Sequence, residues 1–285
     1  MQSLRKNMIN DYLKLKDKFG IILGGSGLIG NEILNELLLQ KSKILVLDIN
    51  KPKIKNIKYD YEYFDCSNIE NISSNLNTIL KKYNSPNFFV NSSYPKNINW
   101  NKLDFHNIEI DYLKETINSN LISFVWVAKI IADRMKKQKR GSIVFLNSIY
   151  GIIGQNMNLY KGLRTKENLP YAVAKGGITN LTRQMASYYG QFNIRINSIC
   201  PGGVKGKSKA DLTNNNKFSK RYFENNSFGW KINLINTGNN TMTGGRLKRL
   251  TKYLNKEKFF LTYGDGISNV NLKKLLKFHN KNKKL

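Results

Sequence analysis

The chain has 285 residues, enough for one large domain or for a domain with an appendage, and either can bury a core of enzyme size. Its 47 Lys+Arg against 19 Asp+Glu give a formal net charge of +28, which taken alone would suit an anionic partner such as nucleic acid. No nucleic-acid-binding motif accompanies the charge, and Asn/Lys-rich runs such as 214–217 and 280–284 read as solvated basic surface, so nucleic acid is not expected as a partner.

Cys66 and Cys200 stand far apart and lack metal-ligand spacing, which argues against a disulfide scaffold and fits a reducing cytoplasm. His106 and His279 are too scattered to suggest a metal site and read as surface residues. No run approaches the roughly 18 apolar residues of a membrane span, and the N-terminus has no apolar leader core, so a soluble cytoplasmic protein without membrane contact is expected.

Residues 1–18 are a basic lead-in. An apolar run over 18–23 predicts a strand, which ends in Gly24-Gly25-Ser26-Gly27-Leu28-Ile29-Gly30 and is followed by a helical pattern over 31–41. Glycines in a strand–loop–helix context let the backbone approach a pyrophosphate, whose charge then rests on the N–H groups of the helix start. Gly24, Ser26, Gly27, Leu28, Ile29 and Gly30 are therefore candidate cofactor contacts. A second strand over 43–47 ends in Asp48. That carboxylate admits two readings: an acceptor for the adenosine ribose hydroxyls that repels a 2′-phosphate, favouring NAD over NADP, or a local cap.

A third strand over 61–64 ends in Asp65, placed to meet an adenine edge, and a helix over 68–83 leads to a fourth strand over 87–90 that ends in Asn91. A helix is predicted from 111 to 137 with Asn118 and Asn120 inside it, broken by Gly141, and a fifth strand over 142–146 precedes Asn147-Ser148. An irregular segment over 155–170 leads to a helix expected to begin just past Pro170. A sixth strand over 193–199 ends in Cys200-Pro201-Gly202-Gly203-Val204. The strand–helix alternation predicts an α/β fold, a Rossmann-like doubly wound parallel sheet with helices on both faces.

The helix after Pro170 carries Tyr171 and Lys175, four residues apart and so on one face. An ammonium beside a phenol favours the phenolate and lowers its pKa from about 10, the condition for proton transfer near neutral pH. Gly176 and Gly177 cost roughly 1 kcal/mol each in a helix relative to Ala, which suggests close packing against another backbone.

In order, Gly24/Gly27/Gly30, Asp48, Asp65, Asn91, Asn120, Ser148, Tyr171 with Lys175, and Pro201-Gly202 resemble the short-chain dehydrogenase/reductase family over about residues 13–205. The runs NSSYPKN at 91–97, NSIYG at 147–151 and ICPGGV at 199–204 look closest to the reductases of bacterial surface-sugar and flagellin-glycan clusters. The resemblance implies Tyr171 as general acid/base, Lys175 lowering its pKa and holding the nicotinamide ribose, Ser148 on the substrate oxygen and Asn120 in a proton relay. It implies an NAD(H) cofactor, with NADP as the lesser alternative. Asn91, Pro201 and Gly202 join the cofactor set, the substrate is a sugar or nucleotide sugar, and the expected assembly is a homodimer or homotetramer built on the helices at 111–137 and 171–190.

Departures are visible: Leu23 stands for the usual Thr, Leu28 for a common Gly, and Ser92-Ser93 for Asn-Ala. The separation of Ser148 from Tyr171, 23 residues, predicts a loop excursion at the substrate mouth.

The expected domains are thus 19–204 for dinucleotide binding, a polar linker over 205–227, and a segment over 228–285. The last resembles an internal piece of glucose-1-phosphate cytidylyltransferase in the runs beginning at Trp230, Thr241 and Phe260, a fragment read as βαβα. By that resemblance Asp265 would hold a catalytic Mg²⁺ only if the segment were functional, and otherwise no metal is expected. The run 258–266 would alternatively complete the edge of the main sheet. The family's usual C-terminal lid and last strand are missing, so the competing reading is an impaired fusion or truncated remnant that binds dinucleotide without turnover. Nucleotidyl transfer and nucleic-acid binding rank behind both.

Overall fold

The computed structural model describes residues 14–54, 58–96, 103–159, 167–202, 204, 242–251, 253–254, 259–261 and 270–282. Most of the lead-in, the heart of the loop before Tyr171, Gly203, the linker, the strand expected from Trp230 and Asp265 lie outside them. The chain divides into two compact units, Met1–Trp230 and Lys231–Leu285.

In the first unit six strands form one sheet: β1 (Phe19–Leu23), β2 (Lys43–Asp48), β3 (Asp60–Tyr63), β4 (Phe88–Asn91), β5 (Gly141–Leu146) and β6 (Ile194–Ile199). Their spatial order is β3-β2-β1-β4-β5-β6, and every neighbouring pair is parallel. The order reverses between β1 and β4, and a reversal of this kind opens a crevice beyond the carboxyl ends of the strands. The crossovers are α1 (Leu28–Leu39), α2 (Ile72–Leu80), α3 (Ile110–Ile117), α4 (Ser123–Lys137) and α5 (Leu169–Gly190).

Alternation along the central strands feeds two cores, as a sheet covered on both faces requires. Ile21, Leu23, Leu45, Leu47, Phe89, Ile143 and Phe145 pack with Phe124, Val127, Ile131 and Met135 of α4. Ile22, Ile44, Val46 and Val90 pack with Leu34 and Leu38 of α1. The second face thins toward β6, whose Arg195 and Asn197 are exposed.

Three local expectations are corrected. The helix predicted from 111 to 137 is interrupted by a π-helical turn, Asn118–Ile122, that joins α3 to α4. Insertions of this type widen the hydrogen-bond ladder and recur at functional sites. Gly141 does not break α4. The turn is made at Gln138 and Lys139, the latter at φ +50°, and Gly141 opens β5, where a Cβ would lie 2.4 Å from Met135 Sδ. The helix bearing Tyr171 starts before Pro170, not after it, because Asn168 Oδ1 accepts from Tyr171 N at 2.9 Å and Pro170 occupies the first turn, where its missing N–H is harmless.

Only one of the paired glycines of α5 serves packing. A Cβ on Gly177 would meet the Leu121 side chain at 2.7 Å, whereas Gly176 faces nothing within 4 Å.

In the second unit the described residues include α6 (Thr243–Leu250) and α7 (Leu272–Asn282). Phe259–Leu261, the described part of the run at 258–266, is not in a strand. No described helix is long and apolar enough to cross a membrane.

Gly176→Ala should stabilise the fold by about 1 kcal/mol, since open space and helical backbone reward a methyl there. Gly151→Ala should destabilise it by about 1–3 kcal/mol, because its Cβ would lie 2.5 Å from the Lys175 carbonyl oxygen. Urea denaturation of the two variants checks both signs.

Candidate active site

The glycine loop owes its shape to β4 as much as to its own residues. Gly24 follows β1 at φ +82°, a conformation side chains resist, and a Cβ there would lie 2.5 Å from the Ser93 backbone. Ser92 N donates to Leu23 O at 2.9 Å, and its Oγ is 3.0 Å from Leu23 O and 3.1 Å from Gly24 O. The serine that departs from the family pattern thus ties the loop to β4. Gly30 is buried beneath the loop, where a Cβ would fall 2.0 Å from Gly24 O. Gly27 caps α1 without a side-chain hydrogen bond, and no acidic residue lies in the first turn, so the N–H groups there suit an anion.

Asp48, at the end of β2, is both a local cap and a residue at the mouth of the crevice. Its Oδ2 accepts from Ser26 N at 2.9 Å and its Oδ1 from Asn50 N at 3.0 Å, which aims the carboxylate into the crevice from a buried position. Asp65 Oδ1 accepts from Ser67 N and Oγ at 2.9 and 2.6 Å. Asn91 Oδ1 accepts from Ser93 N at 3.1 Å, while its buried Nδ2 has no hydrogen-bond partner among the described residues.

Gly24, Ser26, Gly27, Leu28, Ile29, Asp48 and Asp65 line one cavity of about 670 Å³ together with Ile49, Asn50, Cys66, Ser92, Ser93, Tyr94, Pro95, Lys96 and Val204. Burial pushes the Cys66 thiol up to about 11, so it faces the cavity region as a neutral group. Pro201 and Gly202 do not line this cavity; Pro201 O instead accepts from Ile149 N at 3.0 Å and fixes the turn after β5.

That turn carries Ser148, buried, whose Oγ accepts from Tyr150 N at 3.2 Å. Its neighbour Asn147 donates through Nδ2 to Thr179 Oγ1 at 2.8 Å, and Thr179 Oγ1 is 2.9 Å from Gly151 O. The Ser148 turn is therefore clamped to the same helix that carries Tyr171 and Lys175.

Lys175 is 4 % exposed and donates through Nζ to Leu146 O, the last carbonyl of β5, at 2.9 Å. Nζ lies 5.6 Å from the centre of the Tyr171 ring. Desolvation is the main cause that brings its pKa down to about 8, partly opposed by Cys200. Asn120 sits in the π-turn, 2 % exposed, donating through Nδ2 to Pro95 O at 3.0 Å; its Oδ1 and the Oδ1 of Asn147 are buried without partners among the described residues. Orphan amide atoms at one sheet end mark a place built for a further polar partner.

The structure thus places Tyr171 and Lys175 on α5, clamps the Ser148 turn to that helix, and sets Asn120 beside the β4–α3 connection. The 670 Å³ cavity reaches Tyr94 and not Tyr171, Lys175, Ser148 or Asn120. Sequence motifs missed Ser92 and Tyr94 as site residues. The run NSSYP contains both, but their contacts join segments distant in sequence. Among the described residues no cluster of three His, Cys, Asp or Glu could hold a metal ion.

The short chain dehydrogenase family matches residues 18–217. Post-translational flagellin modification protein A of Campylobacter coli is 27% identical over 200 residues, which cover 67% of this chain and 78% of that protein. Among solved structures, 4-hydroxyisoleucine dehydrogenase complexed with NADH is 27% identical with a TM-score of 0.56, covering 67% of this chain and 78% of that one. A short chain dehydrogenase of Leptospira borgpetersenii with bound NAD+ gives a TM-score of 0.63 at 24% identity, covering 73% of this chain and 78% of that one. A separate short match, 45% identical over 51 residues, links 18% of the chain to 20% of the glucose-1-phosphate cytidylyltransferase of Salmonella typhimurium.

Burying the Lys175 ammonium opposes folding below pH 8, and the opposition fades as pH rises from about 8 toward the free-lysine value of 10.5. Lys175→Met should accordingly be more stable than wild type at pH 7, by up to about 3 kcal/mol, with the gap narrowed to about 1 kcal/mol at pH 10; denaturation at the two pH values measures it. With a six-stranded parallel sheet, a glycine loop at its reversal point and the family match over 18–217, the chain belongs to the short chain dehydrogenase family.

Proposed function

We propose that the chain is an NAD(H)-dependent oxidoreductase that transfers hydride to or from a hydroxyl or carbonyl carbon of a sugar or nucleotide sugar in surface-glycan synthesis, with Tyr171 as general acid/base. The observation that carries this reading is the buried Lys175 ammonium, bonded to Leu146 O and set beside the Tyr171 ring at the sheet end where the glycine loop opens. The sugar-type substrate draws on the likeness to the flagellin modification protein.

The residues present suit the cofactor. Backbone N–H groups of 24–30 and the start of α1 would hold a pyrophosphate, and the Asp48 carboxylate would take the adenosine ribose and repel a 2′-phosphate. Asp65 and Asn91 would flank the adenine side, with Pro201 and Gly202 at the nicotinamide end, where Lys175 would meet the ribose. NAD(H), when bound, supplies or accepts the hydride at nicotinamide C4.

The chain supplies orientation and protons. Tyr171 gives its phenolic proton to the substrate oxygen in reduction and removes it in oxidation. Lys175, charged below about pH 8, favours the phenolate form. Ser148 accepts from Tyr150 N and keeps its own O–H to donate to the substrate oxygen. Asn120, whose buried Oδ1 has no hydrogen-bond partner among the described residues, would carry the relay toward Lys175. The 51-residue cytidylyltransferase match lends no nucleotidyl transfer, as it spans 20% of that relative. Homodimers or homotetramers would form on α3 and α4, which with the π-turn between them cover 111–137, and on α5.

Tyr171→Phe should lower kcat by roughly 10²–10⁴-fold while NADH binding, followed by its fluorescence, persists. Retained turnover would sink the mechanism, and wild-type NADH binding with no turnover on a sugar and nucleotide-sugar panel would favour the binding-only reading. Asp48→Asn removes a charge that repels phosphate by about 1–4 kcal/mol at contact distance, so preference should shift toward NADPH by roughly tenfold or more in paired kinetics.

A further inference from the structure

The connection between β4 and α3 carries a side chain that the motif set and the proposed reaction leave unused. Tyr94 stands edge-on to Tyr171, with ring centres 5.3 Å apart and planes at 86°. Lys175 Nζ lies 5.5 Å from the centre of the Tyr94 ring, as near as to Tyr171 itself. The following residue, Pro95, gives its carbonyl to Asn120 Nδ2. Tyr94 also lines the 670 Å³ cavity beneath the glycine loop, so it stands between that cavity and the Tyr171–Lys175 pair.

We propose that Tyr94 is a positioning residue of this site: its ring holds the Lys175 ammonium against Tyr171 and, through Pro95, ties that pair to Asn120. The proposal rests on the reading of Tyr171 and Lys175 as the acid/base pair.

A buried ammonium needs electron-rich neighbours for each of its N–H bonds. Leu146 O supplies one from the end of β5, Tyr171 a ring from its own helix, and Tyr94 a second ring from the β4–α3 connection. Among the described residues Cys200, just past β6, is a further titratable group that acts on Nζ. Ring faces attract cations, and more strongly where water is excluded. Burial and the neighbouring Tyr171 push the Tyr94 phenol upward, so it stays neutral and acts through its ring rather than as a second acid or base. A leucine would keep the bulk and lose the attraction. Lys175 would then lose its proton at lower pH, and the alkaline limit of activity would fall with it.

The test titrates Lys175 directly by NMR of ¹³C-labelled lysine in the full chain without nucleotide, its signal identified by its loss in Lys175→Arg. The wild-type midpoint should lie at about 8. Tyr94→Phe should keep that midpoint, and Tyr94→Leu should lower it by about one pH unit, with the alkaline limb of kcat moving equally and KM for NADH changing less than kcat. An unshifted midpoint in folded Tyr94→Leu overturns the proposal, and Tyr94→Met serves the same comparison should the leucine variant fail to fold. A shifted midpoint in a chain that turns over no substrate upholds the role of Tyr94 and removes the oxidoreductase reading; turnover with an unshifted midpoint does the reverse.

Discussion

The hydrogen bond from Lys175 Nζ to Leu146 O joins the end of β5 to the second turn of α5, the longest helix among the described residues. It is costly to make, because the ammonium is nearly dry, and that cost is what brings the lysine's pKa down to about 8. The surroundings are arranged to bear it: one carbonyl, two aromatic rings, and a helix held close to β5 by the Thr179 clamp on Asn147 and Gly151. A site of this kind trades stability for a charged group placed where no solvent competes for it.

Position follows from topology. Because all six strands run parallel, their carboxyl ends share one edge, and the reversal of order between β1 and β4 leaves the crevice that the crossing helices cannot fill. Gly24 and Asn91 sit on its two sides, and Ser92 sews them together with bonds to both Leu23 O and Gly24 O. The π-turn at Asn118–Ile122 makes the matching adjustment in the helices: it presents Asn120 to Pro95 and lets Leu121 pack where Gly177 has no side chain. Gly177 therefore has a packing reason and its neighbour Gly176 does not.

Most of the fold could be read from local pattern. Apolar runs of four to six residues alternating with helical periods specify a parallel sheet, and glycine after the first strand specifies its turn, since both signals depend only on neighbours in sequence. Boundaries were less legible. Pro170 looked like the start of its helix although Asn168 provides the cap, and Gly141 looked like a breaker although Lys139 makes the turn. In both cases a local signal was present, but its meaning depended on which neighbour the backbone met.

By itself the sequence determined the family, the sheet and which strand ends meet at its edge, because periodicity and motif order are properties of the chain. Tertiary structure alone decided what those residues touch. It made Asp48 a cap as well as a lining residue, turned Ser92 from a departure into a fastener, and set Tyr94 against a lysine 81 positions away. Such contacts are created when crossovers carry distant segments to one edge, and no spacing in the sequence encodes them.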